Sequence, residues 1–271
     1  MPVFAALFRL FAAFIFVTAS LSSASSASER LDYDLVYHVQ WGDSHLGKAL
    51  AKWQMDDSTY RFEGSVKTEG TLAIFYEFEG MNSLEGERQG DQFRPSQFQS
   101  ESTYDDETYI VDMSWPKGIK TPIFTVEPEP EQDEIHPLRK ASLRNVVDPY
   151  TAMLMALSDL EASGQCNGKY RVFDGRRRSE LHLKDFGTTT LSADEEGAYS
   201  GEAHICGSAS KLIGGHKLDS DYDPEEELDF EKVKIFIGRV NGDRLIPVRI
   251  EMTGFLGSII ARLHIQSSTF R

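Results

Sequence analysis

The feature that most constrains this chain is a strict two-residue alternation of apolar and polar side chains, renewed many times along its length. It is plainest at the run Leu31, Tyr33, Leu35, Tyr37 and Val39, with Asp32, Asp34 and His38 between them. Successive side chains of a strand point to opposite faces, so such a run is a strand with one buried and one wet face. The pattern returns at Tyr60, Phe62 and Val66, at Leu72, Ile74, Tyr76 and Phe78, and at Tyr109, Val111 and Met113. It continues at Leu181 and Leu183, at Val233, Ile235 and Ile237, and at Ala261, Leu263 and Ile265. Turn-forming pairs separate the runs: Gly42-Asp43, Asp56-Asp57, Gly90-Asp91, Asp105-Asp106 and Asn241-Gly242. About a dozen strands at this spacing predict one large antiparallel sheet, curled or closed on itself.

One segment breaks the period. Asp148-Pro149 is a helix start, with Asp as N-cap and Pro in the first turn. Tyr150 to Leu160 follows, and Gly164 can end it. Ala152, Met153, Leu154, Met155, Ala156 and Leu157 are consecutive and cover every side of a helix, which predicts a buried one. The expected fold is therefore mainly β: a large curled, spiral or half-barrel antiparallel sheet wrapped around one buried α-helix, as a single domain over residues 28–271.

The first 27 residues read as a secretory signal peptide. Arg9 is their only charge, Leu10 to Val17 is an apolar core, and small residues from Ser22 to Ser28 offer cleavage after Ala24 or Ala27. The apolar run is shorter than the ~20 residues that span a bilayer, and no later stretch is long enough. The expected location is the periplasm, with no transmembrane segment in the mature chain. Cys166 and Cys206 are the only cysteines. An even number in an exported chain points to a disulfide, and neither has a partner at zinc-ligand spacing. The formal net charge of −15 argues against nucleic acid as a partner.

Motifs that carry chemistry are sparse. Asp219, Asp221 and Asp223 have the spacing of a calcium loop, but Pro224 stands where the loop needs Gly and Phe230 where it needs Glu. No metal and no cofactor is expected. The proline-rich acidic stretch Glu127 to Glu134 and the acidic Asp219 to Asp229 read as solvated loops. His38, His182, His204 and His264 fall on the polar phase of their strands and should face outward, while His45, His136 and His216 lie in turns or loops. There is no G-x-S-x-G, P-loop or dinucleotide fingerprint. The densest signal is Val172 to Leu183, where Asp174-Gly175 makes a turn before Arg176, Arg177 and Arg178. A guanidinium grips carboxylate or phosphate with two prongs, so Arg176 and Arg178, alike in strand phase, are candidates for holding an anion. The competing reading is pairing with the chain's own carboxylates.

The order Asp148-Pro149, apolar helix, Cys166, Val172 to Arg178, Tyr199-Ser200-Gly201, Cys206 and Leu212 to His216 resembles the DUF3108 family of exported bacterial proteins of unknown function. Gly47 and Pro95 fit the same pattern, and Gly214-Gly215-His216 departs from an expected Ala-Gly-Tyr. The resemblance implies the cell envelope of Gram-negative bacteria. In outline the chain is also similar to exported β-spiral proteins that support envelope integrity and to half-barrel lipoprotein carriers. The function expected first is a non-catalytic envelope protein that binds a lipid, a lipoprotein or a protein partner, with Met153 and Met155 as adaptable fillers of an apolar site. The alternatives are a hydrolase of cell-wall or lipid esters, using His182 or His204 near Asp174, and a structural module that docks on peptidoglycan or an outer-membrane complex through Trp41, Trp53 or Trp115.

Overall fold

The computed structural model describes residues 31–70, 77–104, 106–218, 227–241, 244–254 and 257–271. The leader, the Leu72 to Tyr76 run and the Asp219 to Asp223 loop lie outside them. Seven strands come first: β1 (Leu31–Trp41), β2 (Ser44–Met55), β3 (Thr59–Thr68), β4 (Phe78–Gln89), β5 (Gln92–Tyr104), β6 (Glu107–Ser114) and β7 (Ile123–Glu127). A connector then leads to the helix α1 (Pro149–Ser163). Seven more strands follow: β8 (Gly168–Phe173), β9 (Arg178–Leu191), β10 (Gly201–Gly214), β11 (Val233–Val240), β12 (Arg244–Gly254), β13 (Gly257–Leu263) and the short β14 (Thr269–Phe270).

The strands form one antiparallel sheet in the order β7-β6-β5-β4-β3-β2-β1-β13-β12-β11-β10-β9-β8, with β14 paired to β1. The path of the chain follows from this order. It runs out as a meander from β1 at the centre to β7 at one edge, then jumps to β8 at the opposite edge. A second meander returns from β8 to β13, which pairs β1 from Tyr37↔Leu263 to Trp41↔Ile259.

The expected curled, spiral or half-barrel sheet is corrected by this topology: the sheet is open, with β7 and β8 as edges that form no ladder with each other. The reason lies in the connector. Val147 forms a parallel bridge with Val172 of β8, its N–H donating to the Arg171 carbonyl and its own carbonyl accepting from the Phe173 N–H. The outer edge of β8 is thus occupied by the chain's own backbone, which blocks closure onto β7.

The helix is capped at both ends as its sequence predicts. Asp148 accepts from the backbone N–H groups of Tyr150 and Thr151, and Gly164, at φ 69°, ends the helix with its N–H on the Leu160 carbonyl. Thr151, Ala152, Leu154, Ala156 and Leu160 are buried, Met153, Met155 and Leu157 are half-buried, and the last turn is exposed. The helix is therefore a partly covered strut rather than an enclosed plug. It touches β5 of the first meander and β8 and β12 of the second.

Several strands carry no clear alternation in sequence. In β5 only Pro95 and Phe98 are buried. Pro95 sits inside an interior strand where the register against β4 shifts between Glu85 and Gly86, a bulge that excuses its missing N–H. Pro247 of β12 is accommodated by a similar shift in β11, between Phe236 and Ile237.

Candidate functional site

The sheet is much wider than one helix, and this sets the geometry of its inner face. Tyr150 and Leu154 pack on the cluster of Tyr60, Phe62, Leu84, Phe98 and Met113, with Phe62 and Tyr150 rings stacked 4.1 Å apart. Ala152, Ala156 and Leu160 pack on Tyr170, Val172, Leu183 and Ile237. The third cluster, built on Leu31, Tyr33, Leu35, Tyr37, Ile246 and Val248 at the centre of the sheet, contains no helix residue. Between that centre and the helix lies a cavity of about 540 Å³.

Its walls are apolar. Leu31, Tyr33 and Leu35 supply the β1 wall, Trp53 and Met55 that of β2, Phe93 that of β5, and Leu245 to Pro247 that of β12, while Met153, Leu154 and Leu157 face them from α1. Its polar lining comprises Arg88, Asp91, Ser158, Glu161 and Arg244. Arg88 donates from Nε to the Gly90 carbonyl (2.8 Å) and approaches the Met55 Sδ through Nη1 (3.3 Å). Ser158 donates to Asp91 (3.3 Å), and Glu161 receives Arg239 on both oxygens at 2.6 and 2.8 Å. The volume and the apolar lining with few polar groups are those of small-molecule sites.

The helix is held over the cavity by a buried polar chain at its N-terminus. Thr151 Oγ1 bonds Asp148 Oδ2 (2.6 Å) and the Tyr60 hydroxyl (2.9 Å), which ties α1 to β3. Burial raises the pKa of Asp148, against the pull of these donors, and raises that of Tyr60. Nearby, Trp115 is buried with its indole N–H on the Val146 carbonyl (3.0 Å). Trp53 is half-buried against Phe62, with ring centroids 4.4 Å apart, and Trp41 is half-buried at the end of β1.

The arginines named from sequence lie elsewhere. Arg178 opens β9 and is 1% exposed. Its Nε donates to the Ser142 carbonyl (3.0 Å), Nη1 to the Ser179 carbonyl, and Nη2 stands 3.8 Å from Glu180. Arg176 lies in the turn before β9, so strand phase does not relate it to Arg178. It donates from Nη2 to the carbonyls of Glu127 and Pro128 and covers the Tyr109 ring at 5.1 Å. Gly175 lets this turn press against Val111, where any Cβ would collide with that side chain. Arg177 pairs with Asp174. Arg176 therefore fastens the end of β7, and Arg178 the connector, to the second meander, while Arg177 closes the turn between β8 and β9. Desolvation lowers the pKa of both Arg176 and Arg178.

Cys166 and Cys206 are bonded, with Cα atoms 5.6 Å apart, and join the segment after α1 to the middle of β10. The histidines do not assemble with Asp174. His204 pairs Thr188 on β9, six residues beyond His182, about 20 Å along the strand. The Asp174 carboxylate accepts the amides of Arg176 and Arg177 and the Arg177 Nε. His38 and His264 are stacked at 4.4 Å, with His38 Nδ1 on Glu195 (3.1 Å) and His264 Nε2 on the Glu196 carbonyl (3.0 Å). Desolvation and then the neighbouring His264 lower the pKa of His38, against the pull of Glu195. Among the described residues no group of three or more His, Cys, Asp or Glu side chains could hold a metal ion. No helix among them is long and apolar enough to cross a membrane.

Sequence reasoning named Met153 and Trp53 but missed Arg88 and Arg244. They are isolated positions on strands of opposite meanders, and no local pattern marks them.

A broad open antiparallel sheet with a single helix standing off its inner face defines the class of this protein. The chain belongs to the family described as "Protein of unknown function (DUF3108)", whose model matches residues 36–264. A search of curated proteins finds no match. Among solved structures it is similar to a beta-barrel-like protein of the domain of unknown function DUF1849 from Brucella abortus, with a TM-score of 0.52 and 12% identity over 89% of this chain and 98% of that one. At that identity the likeness is one of fold.

Proposed function

We propose that this chain is an exported, non-catalytic binding protein of the cell envelope that takes one apolar molecule, a lipid acyl chain, between α1 and the sheet. The observation that carries the reading is the cavity of about 540 Å³ left where the central strands outreach the helix. Half-buried Met153 and Met55, unbranched and adaptable, suit a flexible chain better than a rigid ring system. The apolar core and small residues of the leader, together with the Cys166–Cys206 bond, support export to the oxidising periplasm.

The test is saturable binding of a fluorescent fatty acid to the purified mature chain. The variant Leu157→Trp puts a large ring into the cavity from a half-buried position on α1. It is expected to weaken binding about tenfold or more while the thermal midpoint stays within a few degrees. Undiminished binding by a folded Leu157→Trp protein would place the apolar site elsewhere and overturn the reading.

A further inference from the structure

Resting on that reading of the cavity, we propose that its ligand is a single-chain amphiphile with an anionic head, a carboxylate or phosphate, held by Arg244 with Arg88 in support. The polar lining is not electrically balanced by its own contacts. Glu161 is neutralised by the two-pronged grip of Arg239. Among the described residues the Arg88 guanidinium has only neutral partners, the Gly90 carbonyl, the Met55 sulfur and the face of the Phe93 ring at 5.7 Å. Arg244 is half-buried at the first position of β12, and among the described residues its guanidinium makes no hydrogen bond or ion pair. Asp91 is the opposing charge, and it accepts the Ser158 hydroxyl beside Arg88. An uncompensated guanidinium beside an apolar volume is complementary to an anionic head on a hydrocarbon tail, because its planar fork matches two oxygens of a carboxylate or phosphate. In a chain with a formal net charge of −15 this placement runs against the prevailing field, so the attraction is local rather than a property of the whole surface.

The experiment compares four probes of equal tail length on the mature chain: dodecanoate, dodecyl phosphate, dodecanol and dodecyltrimethylammonium, each below its micellar concentration and read by displacement of the fluorescent fatty acid. One or both anions are expected to bind about tenfold more tightly than dodecanol, and their ranking tells a carboxylate head from a phosphate head. In Arg244→Gln that advantage is expected to vanish while dodecanol binds as before. Arg88→Gln is expected to reduce it by a smaller factor. Equal affinity of the anions and dodecanol, or an anion advantage unchanged in Arg244→Gln, overturns the head-group assignment and leaves the cavity reading standing. Tighter binding of the ammonium probe also overturns it, in favour of Asp91. Failure of all four probes overturns both proposals together.

Discussion

The two meanders, of seven strands and of six, solve the same problem of holding their strands in register with different devices. In the first, β1 and β2 are joined across Gly42-Asp43, β4 and β5 across Gly90-Asp91, and β5 and β6 across residues 105–106. Closing such short loops loses little chain entropy, and the turn residues themselves choose the register. In the second, β9 and β10 are separated by residues 192–200 and β10 and β11 by residues 215–232. Long-range ties compensate. The Cys166–Cys206 bond spans a sequence separation of 40, and the 192–200 loop is pinned back on the sheet by Asp194 to Arg249 and Arg262 and by Glu195 to His38 and Gln40. Both halves mix short and long connections, since β3 and β4 are separated by residues 69–77 and β12 and β13 only by residues 255–256. What sets the second half apart is that covalent and ionic ties to distant residues hold its long loops.

The largest effect that would break this contrast is removal of the covalent tie. The pair Cys166→Ser and Cys206→Ser should cost about 4 kcal/mol in the chain-entropy picture. Hydrogen exchange should show protection falling first in β8 to β10 while β3 to β5 hold theirs. A uniform fall across all strands would show that the two halves are one cooperative unit and that the contrast is only one of connectivity.

A smaller effect is expected where the halves meet, at the helix start. Asp148→Ala should cost about 2 kcal/mol, because it uncaps two amides and leaves the buried Thr151 hydroxyl without one partner. Asp148→Asn keeps an acceptor for the amides and sharpens the test through pH. Burial raises the folded-state pKa of Asp148, so folding favours its protonated form. That contribution is complete below the unfolded value of about 4 and is lost as pH rises through the folded value. Wild type should therefore gain stability relative to Asp148→Asn as pH falls from neutrality toward about 4, measured by urea midpoints. A constant difference, or one of opposite sign, would remove the role assigned to burial.

The smallest effect belongs to a single turn of the first meander. Asp56 accepts the amides of Ser58 and Thr59 in the β2–β3 turn, and these two bonds, with help from the Ser58 and Thr59 hydroxyls, lower its pKa to about 2. Asp56→Ala should cost about 1 kcal/mol at neutral pH. The sign is opposite to that of Asp148. The contribution is present above the unfolded carboxylate value of about 4 and disappears as pH falls toward the folded value. The lead of wild type over Asp56→Ala should shrink over that acid range. An unchanged lead would mean that the turn is held by its backbone alone.

Legibility from sequence followed the same division. The alternating strands of β1, β3 and β6 and both caps of α1 stood in short stretches of residues. β5 was hidden by its polar content and by Pro95, whose tolerance depends on a bulge in the neighbouring strand. The burial of α1 was overstated, because a run of apolar residues shows what a helix can bury and not how far the sheet reaches to cover it. Arg178 was marked as a strong charge, but its fate was set by the Ser142 carbonyl, which lies 36 residues away in the chain.

By itself the sequence determined the β-rich character, the position and limits of the helix and the two half-cystines, since these rest on backbone periodicity, capping and composition within a few residues. Tertiary structure alone decided the order of the strands, the open edges, the use of the arginines as fasteners and the cavity beneath α1. Each of those depends on contacts such as Tyr37↔Leu263 between residues at opposite ends of the chain, and on the mismatch in width between one helix and a broad sheet. Volume and edge occupancy are sums over the whole fold, and no short stretch of residues encodes them.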